Sequence, residues 1–212
     1  MKVLVPVVIG LLVVGCGKKQ HSGKTQAGDN ANKPKFTIEE IDELKKKSEA
    51  GDGEAMHDLG QVYYDGEGVT QDYKEAARWW LLSSDANSTK WSNHSQYKKA
   101  WCLYYLGNMH AGGRGFPKDL GEAMNWWQKS AERGDPDAAF SLGEAYFNGE
   151  ETSIDLIKAC AWYEVALLYS IEFKKAKEKL ALTKAKMTPK QISEAWKLNY
   201  QLQKKIQQTR GW

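Results

Sequence analysis

From residue 36 onward the chain alternates apolar stripes at helical spacing with short glycine-bearing breaks. Ala55, Leu59 and Tyr63 stand at i, i+4 and i+8, which puts them on one face of a helix. Gly66 and Gly68 then supply stop and turn positions that tolerate positive φ. Asp72, followed three residues on by Glu75, predicts the capped start of a second helix bearing Ala76 and Trp79-Trp80.

The same order returns twice. Leu59-Gly60, Gly66-Glu67-Gly68, Asp72, Ala76 and Trp79-Trp80 reappear as Leu106-Gly107, Gly113-Arg114-Gly115, Asp119, Ala123 and Trp126-Trp127. They reappear again as Leu142-Gly143, Gly149, Asp155, Ala159 and Trp162-Tyr163. Self-similarity at a fixed period marks a repeat architecture, in which each unit buries its apolar face only against its neighbours. The pattern resembles the Sel-one-like repeat family, relatives of the tetratricopeptide repeats. That resemblance implies an all-α, right-handed solenoid of helix-turn-helix repeats, at about 53–86, 98–134 and 135–169, in a domain spanning 36–212. Departures are His110 at the tyrosine position of unit two, Cys102 at its alanine position, and Glu151 where unit three should carry its second loop glycine.

Both ends carry helix signals. Thr37-Ile38-Glu39-Glu40 is a capping-box start that predicts a helix to about Ser48, covering the first repeat. Thr188-Pro189 opens a last helix within the capping segment 170–212, with Thr188 as N-cap and Pro189 at the first helical position. The first two units are 47 residues apart and the next two 36. The excess lies in residues 83–96, either as a backward extension of the next helix or as a loop.

Residues 1–15 are one lysine and an apolar run from Val3 to Val14, broken by Pro6 and Gly10. A spanning helix needs about 20 apolar residues, so the run reads as the hydrophobic part of a signal peptide. Val13-Val14-Gly15-Cys16 resembles the lipobox of bacterial lipoproteins, which implies lipidation of Cys16. Gly17 after it implies the outer membrane, facing the periplasm, in a Gram-negative host. Residues 16–35 then form a tether without large apolar side chains.

Charge divides along the chain. Residues 36–171 hold 13 Lys or Arg against 23 Asp or Glu, while 172–212 hold 11 against 3. A basic tail on an acidic body points to anionic phospholipid, to an acidic partner, or to a solvated face of terminal helices.

No catalytic or metal-ligating constellation stands out, and no cofactor is expected. The histidines (21, 57, 94, 110) lack ligand spacing, and the Gly-x-Gly pairs are repeat turns without a phosphate-binding lysine. Cys102 and Cys160 lie more than a repeat apart, so two buried free thiols are expected. Some cysteine-rich relatives have a β-lactamase-like activity proposed for them; this chain lacks their paired cysteines.

Residues that recur in register are explained by the fold, so function is sought where the repeats differ. Opposite Leu59 and Tyr63 the first helix carries His57, Gln61 and Tyr64. The equivalent positions are Tyr104, Asn108 and Ala111 in unit two, and Phe140, Glu144 and Phe147 in unit three. This variable, partly aromatic ladder has the composition of a protein-binding groove; packing of Phe140 and Phe147 under the C-terminal helices is the alternative. The expected function is a non-enzymatic, membrane-tethered periplasmic binding protein with a protein partner and no nucleic acid. The family resemblance admits an immunity protein against a secreted antibacterial lipase. The alternative is an envelope scaffold or peptidoglycan-associated factor, with Trp91 and the insertion touching glycan.

Overall fold

Thr37 caps the first helix as the sequence predicts. Its hydroxyl accepts from the Glu40 N–H while the Glu40 carboxylate accepts from the Thr37 N–H, and α1 runs Ile38–Glu49 from this box. The computed structural model describes residues 36–85, 95–149, 153–170 and 172–210. Cys16, Trp91 and Glu151 lie outside the described residues. Those that are described form nine helices and no strand.

Three helix pairs follow α1: α2 (Gly53–Asp65) with α3 (Tyr73–Ser84), α4 (Ser95–Gly112) with α5 (Leu120–Ala131), and α6 (Pro136–Asn148) with α7 (Leu156–Tyr169). Each helix of these pairs packs on its chain neighbours, and α2 also touches α4, so the first helices of repeats one and two adjoin. Two more helices close the array, α8 (Lys174–Ala185) and α9 (Pro189–Arg210), and both pack on α7. The repeat excess is resolved in part. α4 has 18 residues where α2 and α6 have 13, so five of the extra residues (95–99) extend the helix backwards.

The capping aspartates act as predicted, with one difference. Asp72 accepts from the N–H groups of Lys74 and Glu75, and Asp119 from that of Glu122. Glu75 and Glu122 do not complete a box; they bind Arg78 and Asn125 instead. At the last helix, Thr188 and Gln191 do exchange both bonds.

Each repeat is locked by an aromatic ring laid over a glycine. A Cβ on Gly60 would lie 2.4 Å from Trp80, one on Gly107 2.4 Å from Trp127, and one on Gly143 2.5 Å from Tyr163. The first helix therefore presents bare backbone, and the second residue of each aromatic pair fills the hollow. In units one and two the first residue of the pair also meets a cation. Trp79 lies under the Arg78 guanidinium at 4.3 Å and Trp126 under the Lys129 ammonium at 4.0 Å, a cation–π pairing.

A second lock is buried deeper. Ser83 donates to the Gly53 carbonyl (2.9 Å) and Ser130 to the Ala100 carbonyl (2.6 Å), tying the end of each second helix to the start of its partner. Unit three has Ala166 at the serine position, a side chain with no hydroxyl to make this bond, and Ala166 is buried in the main core cluster.

Asp135 is the N-cap of α6, almost wholly buried, and accepts from the Ala138 N–H at 2.8 Å. Burial pushes its carboxyl up to about 6. A folded-state value above the unfolded one means that protonation favours folding. The buried charge thus costs stability above pH 6, and the cost fades as pH falls toward the ordinary carboxylate range near 4. Asp135→Asn, which retains the cap, is expected to raise stability by about 1–2 kcal/mol at pH 7.5 and by little at pH 4. Urea denaturation at the two pH values checks this.

Candidate interaction face

The outward side of α2 and α4 carries a connected set of aromatic rings. Trp101 and Tyr105 are packed with centroids 3.9 Å apart, and both contact Trp80, at 5.4 and 5.5 Å. Tyr64 joins them through Tyr105 (5.6 Å), Trp80 (5.2 Å) and Tyr73 (5.3 Å), while Tyr104 lies edge-on to Tyr105. His57 sits 4.9 Å from Trp101, and its Nδ1 is 2.8 Å from the Asp58 carboxylate. Arg114, exposed on the following turn, donates to the Tyr64 hydroxyl and lies across its ring. His57, Tyr64, Trp101, Tyr104 and Tyr105 are all half-buried, so each keeps an accessible edge.

Two of these residues were outside the sequence ladder. Trp101 and Tyr105 occupy the positions of Glu54 and Asp58 in unit one and of Asp137 and Ser141 in unit three. Aligning the units in register shows the signal: at both positions only unit two has an aromatic.

The remaining ladder residues divide. Gln61 is on the same face and binds Asp65 one turn on. Asn108 accepts from Trp127 Nε1 at 3.0 Å, and Glu144 accepts from both the Tyr163 hydroxyl and Lys179 Nζ, the latter at 2.7 Å. These two polar groups satisfy the tips of the rings that fill the glycine hollows; in unit one the His57 carbonyl does so for Trp80. Ala111 and Glu144 line a cleft of about 230 Å³ with Lys118, Trp127, Ser141 and Asn148. Phe140 packs on Tyr163 and on Phe173, just before α8, and Phe147 lies under Lys179 and Lys186. The last rung thus has α8 against it, the alternative that the sequence left open.

Neither thiol is poised for chemistry. Cys102 and Cys160 are free and fully buried. Burial pushes Cys102 up to about 12 and Cys160 up to about 11, which keeps both protonated at neutral pH. Cys102 is a weak donor to Ser83 (3.8 Å), in series with the buried serine lock.

Comparison with known proteins agrees with this architecture. The Sel1 repeat model matches three times, over residues 53–88, 102–135 and 136–167. The chain belongs to the Sel1 repeat family, which is typically a non-catalytic scaffold for protein–protein interaction. Its structure is similar to that of a Sel1 repeat protein from Oxalobacter formigenes, at 29% identity and TM-score 0.54, over 68% of this chain and 98% of that one. It is also similar to a protective antigen present in uropathogenic Escherichia coli strains, which displays an SLR fold. There the identity is 26% and the TM-score 0.50, over 81% of this chain and 42% of the other. No curated protein sequence matches.

Proposed function

We propose that this chain is a lipid-tethered envelope protein that captures another protein on the first-helix face of repeats one and two. The observation that carries this is the Tyr64–Trp101–Tyr104–Tyr105 cluster, whose rings are half-buried and where unit two departs from its sister units. Rigid aromatics with accessible edges give large contact area at low entropic cost, which is why they concentrate at binding hot spots. The lipobox-like segment ending at Cys16 supports the tether, with the outer membrane as its site. Among partner classes, a secreted enzyme that attacks lipid suits a binder held at a bilayer, which is the immunity reading.

Affinity capture of the full chain from its native envelope tests this. One protein recovered in near-stoichiometric amount is expected. The double variant Trp101→Ala, Tyr105→Ala should lower its recovery more than about 10-fold, the loss of at least one hot spot. Capture that yields no protein, or that the double variant leaves unchanged although circular dichroism shows it folded, rejects the proposal. Lipase activity in the recovered partner, inhibited by this chain, would establish the finer reading.

A further inference from the structure

The basic tail does two separate things. Three of its lysines turn inward to acidic groups of the repeats: Lys179 to Glu144, Lys184 to Glu164 and Lys205 to Glu132. Another three do not. Lys190, Lys197 and Lys204 recur every seven residues along α9, which places them on one side of that helix. Among the described residues no carboxylate lies within ion-pairing distance of them. Between them project Trp196 and Tyr200, one turn apart, 72% and 71% exposed, the highest values of any large apolar side chain described. The opposite face, with Ala195, Asn199, Leu202 and Ile206, is held by the array, Asn199 donating to the Ala161 carbonyl.

We infer that the outer face of α9 docks on an anionic phospholipid surface. Tryptophan and tyrosine prefer the headgroup level, where their rings are half-solvated, and flanking lysines add attraction to acidic lipid. α9 has 22 residues, about 33 Å of helix, long enough to lie along a membrane rather than touch it at a point. The charge suits the occupant: three lysines outnumber Glu194, the one carboxylate beside them, and two aromatics flank them, on a protein whose repeats are acidic. The inference draws on the proposed tether. A lipid on Cys16 would hold the whole chain at a bilayer, where this face could meet it.

The test uses the mature chain with Cys16→Ser, so that binding reports α9 and not an acyl chain. Co-sedimentation is expected with phosphatidylethanolamine/phosphatidylglycerol vesicles, to weaken in 0.5 M salt, and to be absent with phosphatidylcholine alone. Lys190→Glu, Lys197→Glu, Lys204→Glu together, and separately Trp196→Ala with Tyr200→Ala, should each lower the partition coefficient at least about 10-fold. Both sets lie on the solvent side, so unchanged thermal unfolding is the control. No lipid-dependent sedimentation overturns the inference, as does a dimer that Trp196→Ala disrupts in the absence of vesicle binding. Mass spectrometry of Cys16 in the native protein tests the tether by itself, so failure of one reading is distinguishable from failure of the other.

Discussion

Gly107→Ala is expected to destabilise the array by about 2–3 kcal/mol, the cost of overpacking a filled site, and to lower the melting temperature by roughly 5–10 °C. A Cβ there would lie 2.4 Å from Trp127 Cδ1, 2.6 Å from its Nε1 and 3.0 Å from the Ala123 carbonyl oxygen. The ring cannot swing aside. Trp127 is 7% exposed, sits in the main core cluster, and is tied at Nε1 to Asn108. The carbonyl belongs to the α5 backbone, so relief requires α4 and α5 to separate. Normally Gly→Ala inside a helix is worth about 1 kcal/mol in the favourable direction, and the crowding has to overcome that gain as well. Gly121→Ala is the internal control: a Cβ there meets only the Asp119 carboxylate at 3.4 Å, so a neutral or slightly stabilising change is expected. Trp127→Leu should relieve part of the Gly107→Ala penalty, giving a favourable coupling energy in a double-mutant cycle. Equal melting temperatures for Gly107→Ala and Gly121→Ala would contradict the glycine-hollow account.

The locks of this fold differ in how far the sequence discloses them. Gly60 and Trp80 stand 20 residues apart, yet their joint recurrence as Gly107 with Trp127 and Gly143 with Tyr163 makes the pair visible as a pattern. Recurrence does not tell the two tryptophans of a pair apart. That distinction depends on a 100° step around the helix: Trp80 points at the partner helix, while Trp79 turns beside Arg78. Ser83 and Ser130 also recur, but a serine carries no apolar periodicity, and its acceptor is a main-chain carbonyl 30 residues away. Periodicity analysis is blind to such a bond.

The candidate face is legible in outline for the same reason, while the contacts its residues make are not. Facing outward on a single helix is a local property, and His57, Gln61, Tyr64 and Tyr104 are placed by it. What an outward residue meets is set by other elements. Asn108 and Glu144 belong to the ladder by position, and rings from α5 and α7 reach them. Phe140 and Phe147 meet the segment leading into α8 and α8 itself, whose docking rests on ion pairs such as Lys179–Glu144, 35 residues apart. Trp101 and Tyr105 stand beside the ladder, at positions that are polar in the sister units (Glu54 and Asp58, Asp137 and Ser141), and it is the ring of Trp80 that draws them onto the face.

A chain ending at Met187 should lose its last repeat while keeping its first. Without α9, the α7 surface that covers Ala195, Asn199 and Ile206 becomes solvent-exposed. Full burial of one aliphatic side chain is worth about 1.5–3 kcal/mol, so Ile206 with the half-buried Ile192, Leu198 and Leu202 amounts to roughly 5 kcal/mol. That is comparable with the whole stability of many domains. In a linear array the loss is felt at the end where it occurs and fades along the stack, because each repeat contacts only its neighbours. The two thiols report on the last repeat and on the middle one. Cys160 packs with Met187 and Ala195 on α7, and Cys102 packs with Leu103, Leu106 and Trp80 in the repeat-two cluster. In a Cys16→Ser background, the full-length chain should react slowly at both cysteines with a thiol reagent at pH 8. The truncated chain should react at least about 100-fold faster at Cys160 than at Cys102, since local opening near the lost cap requires less free energy than opening repeat two. Equal protection of the two thiols after truncation would show that α9 is dispensable for the fold, and equal exposure that the array unfolds as one unit. Only graded exposure fits a stack stabilised by nearest neighbours and closed at one end by α9.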